Sequence, residues 1–337
     1  MLNIVPLKIV SRMKITAFLL PVLTFAGFTS FSQDIRVHDP VMIRQGDTYY
    51  LFCTGMGIGV YSSPDMQNWK REAPVFAAPP QWAVGTVPGY KGHTWAPDIF
   101  FHDGLYYLYY SVSAFGKNTS CIGVATNKTL DPEDDGFGWT DHGKVIQSVP
   151  GRDLWNAIDP NLAMDEGGTS WLVFGSFWSG MKMVKLDSSL LKVAQPEEWH
   201  TVARRARDFK TDDANAGEGA IEAPFVFRKD GLYYLFVSFD FCCKGVESNY
   251  KVMVGRSEDI RGPYVDKEGI RLDHGGGTQV VAGNEAWPGV GHNAAYTFDG
   301  KDYLVFHAYD AADNGRPKLK VKEMQWDKEG WPVVTLD

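Results

Sequence analysis

The sequence predicts an all-β protein, a five-bladed β-propeller with four strands in each blade. Three observations predict it. One sequence motif, called the repeated phrase below, recurs five times; its copies lie similar distances apart; and no long stretch has helical periodicity. Each copy combines a polar residue, an apolar strand, a turn with glycine and a second strand rich in aromatic residues. The copies begin at His38, Trp95, Ile158, Glu222 and His292. Sheets that repeat radially form a propeller, whereas a sandwich or jelly roll would not explain the repeated phrase.

A shared proline sets the register of the blades. It is Pro40, Pro97, Pro160 and Pro224, with Ala294 at the matching place in the fifth copy. Counted from these numbers, successive places lie 57, 63, 64 and 70 residues apart. Each interval accommodates about four short strands with longer loops, at the roughly 8–12-residue strand spacing of all-β folds.

The first and last copies show how we expect the strands to run. In the first copy the pattern predicts strands at 37–44, 48–53 and 58–62, with an edge strand near 69. The last copy ends with candidate strands at 318–326 and 331–336. It therefore holds enough strands to close the ring without borrowing one from the N-terminus.

Residues 1–32 have the pattern of an export signal. A basic segment precedes an apolar run at 15–29, and small residues flank Phe31 just before a cut that we expect ahead of Gln33. Met13 is an alternative start. The apolar run is short for a bilayer span of roughly 20 residues, which disfavours a membrane anchor. We expect a secreted or periplasmic protein whose mature part, 33–337, is one propeller domain without membrane association.

Charge and cysteine content exclude further classes of function and of covalent framework. The net charge is -8 with a pI of about 5.5 and no basic cluster, which excludes a phosphate-binding surface for nucleic acid. The four cysteines have no metal-site spacing and are too few for a disulfide scaffold. Cys242 and Cys243 are adjacent; a vicinal disulfide and two buried thiols are both open, and we favour the thiols.

Acidic residues occur at one place in the repeat. In a propeller the first strand of each blade lines the central channel, so equivalent positions converge there. The residue before the shared proline is Asp39 in blade one and Asp159 in blade three. Blade four has Glu222 one step earlier, and His292 occupies the matching step in blade five. One Asp before Pro is usually a turn cap, but three acids in register indicate a site.

Such a group of carboxyls suits glycoside hydrolysis. One carboxyl protonates the departing oxygen, and a second activates water or attacks the carbon. A third acid raises the pKa of the proton donor through like-charge repulsion. Asp98 lies one step past Pro97, and we interpret it as structural.

Seven motifs give the chain a specific resemblance. They are VHDP (37–40), HTWAPD (93–98), NAIDPN (156–161), GSFWSG (175–180), IEAP (221–224), FCCKGV (241–246) and VGHNA (290–294). Through them the mature chain resembles the family 43 glycoside hydrolases, and among these the endo-1,5-α-L-arabinanases, enzymes that cleave α-1,5-L-arabinofuranosidic bonds of arabinan.

The resemblance implies a role for each acid. Asp39 would be the base that activates water, Glu222 the acid, and Asp159 the residue that orients Glu222 and raises its pKa. The family inverts the anomeric centre in a single displacement, so the base and acid should stand roughly 6.5–9.5 Å apart.

The resemblance also implies binding residues. Trp95 and Phe115 would stack on furanose rings, and Asn156, Ser176 and Trp178 would line subsites. His292 would hold one structural calcium or other hard cation, largely through waters, although a lone His is more often a hydrogen-bonding core residue. No organic cofactor is expected, and we expect a monomer that acts on linear arabinan or arabino-oligosaccharides.

Other functions remain open at this point. An exo-arabinanase, an arabinofuranosidase or a β-xylosidase would share the fold and differ in the loops that close the groove. A non-catalytic carbohydrate-binding propeller is the alternative outside the enzymes. Three buried carboxylates argue against it, because a binding module has no need to bury them together.

Overall fold

The computed structural model describes residues 1–2 and 34–336. By its internal contacts the chain divides into two units, Met1–Phe31 and Ser32–Asp337, and every strand below belongs to the second. Apart from residues 1–2, the predicted export signal lies outside the described residues and stays a prediction. Of the described helices, none is long and apolar enough to span a membrane.

Antiparallel strands supply nearly all regular structure of the first three blades. Blade one and its connection contain β1 (Val41–Gln45), β2 (Thr48–Cys53), β3 (Gly55–Met56), β4 (Gly59–Ser63) and β5 (Lys70–Arg71). A short helix α1 (Gln81–Thr86) leads to blade two, which contains β6 (His93–His102), β7 (Leu105–Val112), β8 (Ser120–Asn127) and β9 (Thr140–Ser148). Blade three contains β10 (Asn161–Met164), β11 (Ser170–Phe174), β12 (Met181–Lys185) and β13 (Trp199–Ala203).

The last two blades follow the same plan. Blade four contains β14 (Ile221–Lys229), β15 (Leu232–Phe239), β16 (Lys251–Ser257) and β17 (Thr278–Ala282). Blade five and the C-terminal hairpin contain β18 (Val290–Phe298), β19 (Lys301–Asp310), β20 (Arg316–Glu323), β21 (Gln325–Trp326) and β22 (Pro332–Val333). Single 3₁₀ turns lie at Gly245–Glu247, Leu272–His274 and Ala311–Asp313.

Burial explains why the strands are continuously apolar. Each blade packs between two others, so both faces of its sheet are covered and the alternation of a half-exposed strand is lost. All eight residues of β8 are buried, and in β7 and β15 only the first residue is partly exposed. The apolar clusters join neighbouring blades, including blade one with blade five. The five-bladed propeller is confirmed.

The prediction of four strands in every blade needs two corrections. Blade two gains β3 at its edge, giving the order β3-β6-β7-β8-β9, while blade five keeps only β18-β19-β20. The predicted closure within blade five is wrong. Arg36 forms an antiparallel bridge with Lys318, and the Ile35 carbonyl accepts the Leu319 N–H at 3.1 Å. The chain after β20 leaves the sheet for the β21–β22 hairpin, so the N-terminal segment covers the open edge.

A bulge interrupts the start of the first strand. In blades two, four and five the pairing skips two residues, after Trp95, Glu222 and Gly291. The first skipped residue has a left-handed backbone in each case, and the residues before Pro40 and Pro160 share it. These positive φ angles are 53° at Asp39, 41° at Ala96, 57° at Asp159, 55° at Ala223 and 50° at His292.

The bulge corrects the register of blade five. Asn293, rather than Ala294, stands at the place of the shared proline. His292 is therefore the equivalent of Asp39 and Asp159, and not of Glu222. The sequence alignment was one residue out because blade five lacks the proline.

Candidate active site

The three predicted acids and His292 line a single cavity of about 1090 Å³. Three of these four side chains occupy the left-handed bulge position of their blades, and Glu222 directly precedes that of blade four. First strands of neighbouring blades contact one another around the whole ring, including those of blades five and one. Convergence of residues distant in sequence is thus a consequence of the repeat.

A ring of hydrogen bonds fixes the bulges. The amide of each bulge residue donates to a side chain of the preceding blade, at 2.8–3.2 Å in all five cases, and four of the five acceptors occupy equivalent positions. The four acceptors are Thr54 Oγ1 for Ala96, Ser111 Oγ for Asp159, Ser238 Oγ for His292, and His307 Nδ1 for Asp39.

Blade three is the exception in this ring. Its equivalent residue is Gly175, whose N–H pairs with the Ile158 carbonyl and which has no side chain to offer. The Ala223 amide instead donates to Asp159 Oδ2 at 3.1 Å. Because Gly175 offers no acceptor, Asp159 accepts the bulge hydrogen bond of blade four in its place. This bond holds Asp159 beside Glu222.

Asp39 is the most heavily bonded of the acids. Its Oδ1 lies 2.7 Å from His38 Nδ1 and 3.0 Å from His292 Nδ1, and its Oδ2 accepts the Thr54 hydroxyl at 2.5 Å. A carboxylate offers about four acceptor sites. Three donors leave one of them, on Oδ2.

The same contacts decide the charges. Burial alone would raise the pKa of Asp39, but His292 and His38 hold it well below its ordinary value. Burial alone would lower the pKa of His292, but Asp39, Asp159 and Glu222 raise it to about 9. Asp39 and His292 therefore form a buried ion pair at neutral pH.

Asp159 has the opposite environment. Burial raises its pKa above the ordinary value, and the Glu222 and Asp39 carboxylates add to that effect while His292 opposes it. The neighbouring Glu222 accepts two hydroxyl donors, Ser176 Oγ at 2.9 Å and Tyr250 OH at 2.8 Å. The cavity thus holds one carboxylate fixed as an anion, Asp39, together with an acid pair, Asp159 and Glu222, that can retain a proton.

The predicted aromatic residues differ in what they expose. Phe115 is 79% exposed at the cavity, and Trp95 is half-buried, with its indole N–H fixed on His93 Nδ1 at 2.8 Å. Trp178 also lines the cavity but is only 2% exposed, and its indole N–H donates to the Asp213 carbonyl at 3.0 Å. Trp178 therefore supports the wall and offers little surface for a sugar.

The predicted polar residues also differ in their hydrogen bonding. Ser176 is buried and bonded to Glu222, so it positions the acid. Asn156 is buried at the cavity, and its Oδ1 accepts no hydrogen bond from the described residues. A buried acceptor that lacks a partner and faces a cavity is suited to a ligand hydroxyl.

Cys242 and Cys243 form a disulfide, so the favoured interpretation as buried thiols is wrong. Neither residue is buried, and both line the cavity. Asp98 is structural, as predicted: it is buried, and its carboxylate accepts the Leu162 amide at 2.7 Å and the Asn161 side chain at 3.3 Å.

Several residues of the site are not among those predicted from the sequence. The ring acceptors Thr54, Ser111 and Ser238 stand fourteen residues after their shared prolines, and His307 stands fourteen after Asn293. That spacing was available as a signal. Tyr250 had none, because it lies outside the repeated phrase and reaches Glu222 through the packing of blade four.

The expected cation is not supported by direct protein ligands. His292 Nδ1 is occupied by Asp39, which leaves Nε2 as its free nitrogen. Among the described residues, His292 belongs to no set of three closely spaced ligating atoms; the sets found are His38, Asp39 and His307, and His38 with the two cysteines. A cation at His292 would depend on water ligands, and it stays a prediction.

Comparison with known proteins identifies the family. A family model described as "Glycosyl hydrolases family 43" matches residues 33–332. The chain is a family 43 glycosyl hydrolase.

Relatives of this family 43 hydrolase include both modes of attack. It is 53% identical over 309 residues to an extracellular exo-α-(1→5)-L-arabinofuranosidase of Cellvibrio japonicus, which covers 92% of this chain and 89% of that protein. It is 43% identical over 311 residues to an extracellular endo-α-(1→5)-L-arabinanase of Bacillus subtilis, with coverages of 91% and 90%. The structure of a Cellvibrio cellulosa α-L-arabinanase with arabinohexaose matches with a TM-score of 0.89 at 54% identity, covering 90% and 96%.

The ion pair between Asp39 and His292 should give a measurable pH dependence of stability. Because the pKa of His292 is about 9 in the folded protein against an ordinary 6.5, the pair stabilises the fold below about pH 6.5. This contribution is lost as the pH rises through 9. His292→Asn keeps a donor near Nδ1 and tolerates the left-handed backbone, but removes the charge. This substitution should lower the free energy of unfolding by on the order of 3 kcal/mol at pH 6 and by much less at pH 10.

Chemical denaturation in the presence of a chelator measures this difference. The matched control is His142→Asn at an exposed histidine of β9, which should show no comparable pH dependence. A cost for His292→Asn that is equal at both pH values would contradict the ion pair.

Proposed function

We propose that this family 43 hydrolase cleaves α-1,5-L-arabinofuranosidic bonds of arabinan in a single displacement that inverts the anomeric centre. The observation that carries the proposal is the cavity that unites a carboxylate held as an anion, Asp39, with the acid pair Asp159 and Glu222. The substrate class is supported by the names of the relatives, which are arabinan-degrading enzymes.

Asp39 is the base in this proposal. Its remaining acceptor site on Oδ2 receives a proton from a water molecule as the water oxygen attacks the anomeric carbon. The three other sites are occupied by the two histidines and Thr54, so the carboxylate cannot rotate away. His292 also keeps Asp39 ionised across the working pH range.

Glu222 is the acid. In the resting state its two oxygens accept the hydroxyls of Ser176 and Tyr250, which fix the plane of the carboxyl group. When protonated, it gives its proton to the glycosidic oxygen as the bond to the anomeric carbon breaks. Asp159, pinned by the Ala223 amide, stands beside Glu222; burial and the nearby carboxylates raise the pKa of Asp159, so the pair can keep a proton for this step.

Trp95 and Phe115 are the sugar-stacking residues in this proposal. Both present aromatic surface at the cavity, and aromatic faces contact the C–H side of a sugar ring. Asn156 Oδ1 would accept a sugar hydroxyl. A hard cation could bind His292 Nε2 only when the imidazole is neutral; it would then replace the imidazolium as the positive charge near the three acids, and no step above depends on it.

The mode of attack is a separate question. We propose endo action, with the chain exported and acting as a monomer. Exo action is the second candidate, and it is favoured by the 53% identical relative, which is named as exo-acting. Both of the relatives above are named as extracellular, which supports export.

The roles of the two acids can be separated by the leaving group of the substrate. Glu222→Gln should lower kcat on arabinan by about 10²–10⁴-fold. The loss should be much smaller on a dinitrophenyl arabinotrioside, since dinitrophenolate leaves without a proton. Asp39→Asn should be impaired on both substrates, because both need an activated water.

The control is Glu218→Gln, at an exposed glutamate of the adjoining loop, which should match the wild type. Equal losses for Glu222→Gln on both substrates would remove its assignment as the acid. Near-normal rates for Asp39→Asn would remove the base.

A size-resolved product time course on linear debranched arabinan decides substrate and mode together, with arabinoxylan as the comparison. Endo action predicts a spread of oligomers from the first minutes and no products from arabinoxylan. One short product from the outset would contradict endo action and establish the exo mode. No product from either polymer would contradict arabinan hydrolysis and favour the carbohydrate-binding propeller.

A further inference from the structure

A chain of short hydrogen bonds leads from a loop of the cavity wall to Asp39. The Cys243 amide donates to Tyr309 OH at 2.7 Å, and Tyr309 OH lies 2.8 Å from His38 Nε2. The other ring nitrogen of His38, Nδ1, lies 2.7 Å from Asp39 Oδ1. Tyr309 has no part in the proposed chemistry so far, and His38 enters it only as one of the groups bonded to Asp39.

The donors determine which way the Tyr309 proton points. The phenol oxygen receives the Cys243 N–H, and the Ser248 hydroxyl is a further hydrogen-bonding neighbour. The Cys243 N–H occupies an acceptor site of this oxygen, which favours the phenol hydroxyl as the donor toward His38. Burial raises the pKa of Tyr309, so the phenol keeps its proton, which is directed to His38 Nε2. The alternative acceptor, Cys243 Sγ, is farther away at 3.9 Å.

This direction fixes the tautomer of His38. With Nε2 as the acceptor, the ring proton must be on Nδ1, where it donates to Asp39 Oδ1. The opposite tautomer would place a bare nitrogen lone pair 2.7 Å from the carboxylate oxygen, which is repulsive.

Ring contacts hold His38 in this orientation. Its imidazole stacks on that of His307, with centroids 3.9 Å apart and planes at 25°. His307 is fully buried and accepts the Asp39 amide through Nδ1, and Tyr309 meets it edge-on at 5.2 Å. His38 is therefore fixed both by its hydrogen bonds and by its packing.

We propose that Tyr309 and His38 are positioning residues that form a relay: Tyr309 sets the tautomer of His38, and His38 orients the base Asp39 for the attacking water. This inference deepens the proposed function and rests on it. The relay also links the base to the disulfide loop at Cys243, which lines the cavity.

Tyr309→Phe tests the relay, because it removes one hydroxyl and keeps the ring packing. It should lower kcat on arabinan about tenfold, the worth of one hydrogen bond, and change KM little. In protein with ¹³C-labelled histidine, the Cδ2 resonance of His38, assigned by its loss in His38→Asn, should move toward that of the other tautomer. Tyr303→Phe, on the same strand β19, is the control and should change neither quantity.

A double-mutant cycle separates the relay from a general disturbance of the loop. The amide of His38→Asn can donate from the place of Nδ1 and needs no partner to fix its tautomer. Adding Tyr309→Phe to this variant should therefore cause no further loss of kcat.

An unchanged kcat in Tyr309→Phe, or an equal loss in both backgrounds, would overturn the relay. Failure of the relay leaves Asp39→Asn inactive. Full activity of Asp39→Asn would instead refute the proposed function itself.

Discussion

The left-handed residue at the start of each blade is the constraint on which the site depends. Such a conformation costs a non-glycine residue on the order of 1–3 kcal/mol, and it persists only where the surroundings enforce it. Here the enforcement is the hydrogen bond from each bulge amide to the neighbouring blade. Asp39, Asp159 and His292 use these positions to reach the cavity, whereas Ala96 and Ala223 hold them without functional side chains.

Charge compensation follows from this geometry. Three carboxylates in one buried cavity repel each other. The positive charge of His292 and a proton retained by the pair of Asp159 and Glu222 offset this repulsion. The two other imidazoles nearby act through hydrogen bonds, and burial lowers the pKa of one of them, His307. His307 accepts the Asp39 amide, and His38 is directed by Tyr309. The separation of one anion from one proton-holding pair is the asymmetry that acid–base catalysis requires.

Much of the fold and of the site could be predicted from the sequence, because a motif repeated in every blade brings its equivalent residues together around one channel. The repeated phrase predicted the five blades and brought Asp39, Asp159, Glu222 and His292 together. The prediction is wrong where the repeat is broken. Blade five lacks the shared proline, so its alignment is one residue out. The pairing of Arg36 with Lys318, which covers the edge of blade five, has no signal in the local sequence.

Contacts that depend on packing between blades were also out of reach. Tyr250 meets Glu222 from outside the repeated phrase, and Trp178, which the resemblance places at a subsite, is buried. The bond between Cys242 and Cys243 depends on a loop conformation that neighbours in sequence do not determine.

In the proposed reaction Asp39 and Glu222 act on opposite faces of one sugar in one displacement. Proton NMR of the first product formed from a linear arabino-oligosaccharide, recorded before mutarotation, tests this most directly. A single displacement predicts that the β-anomer of arabinofuranose appears first. Initial appearance of the α-anomer would show retention, which would require a covalent intermediate and would contradict the assignment of Asp39 as a base.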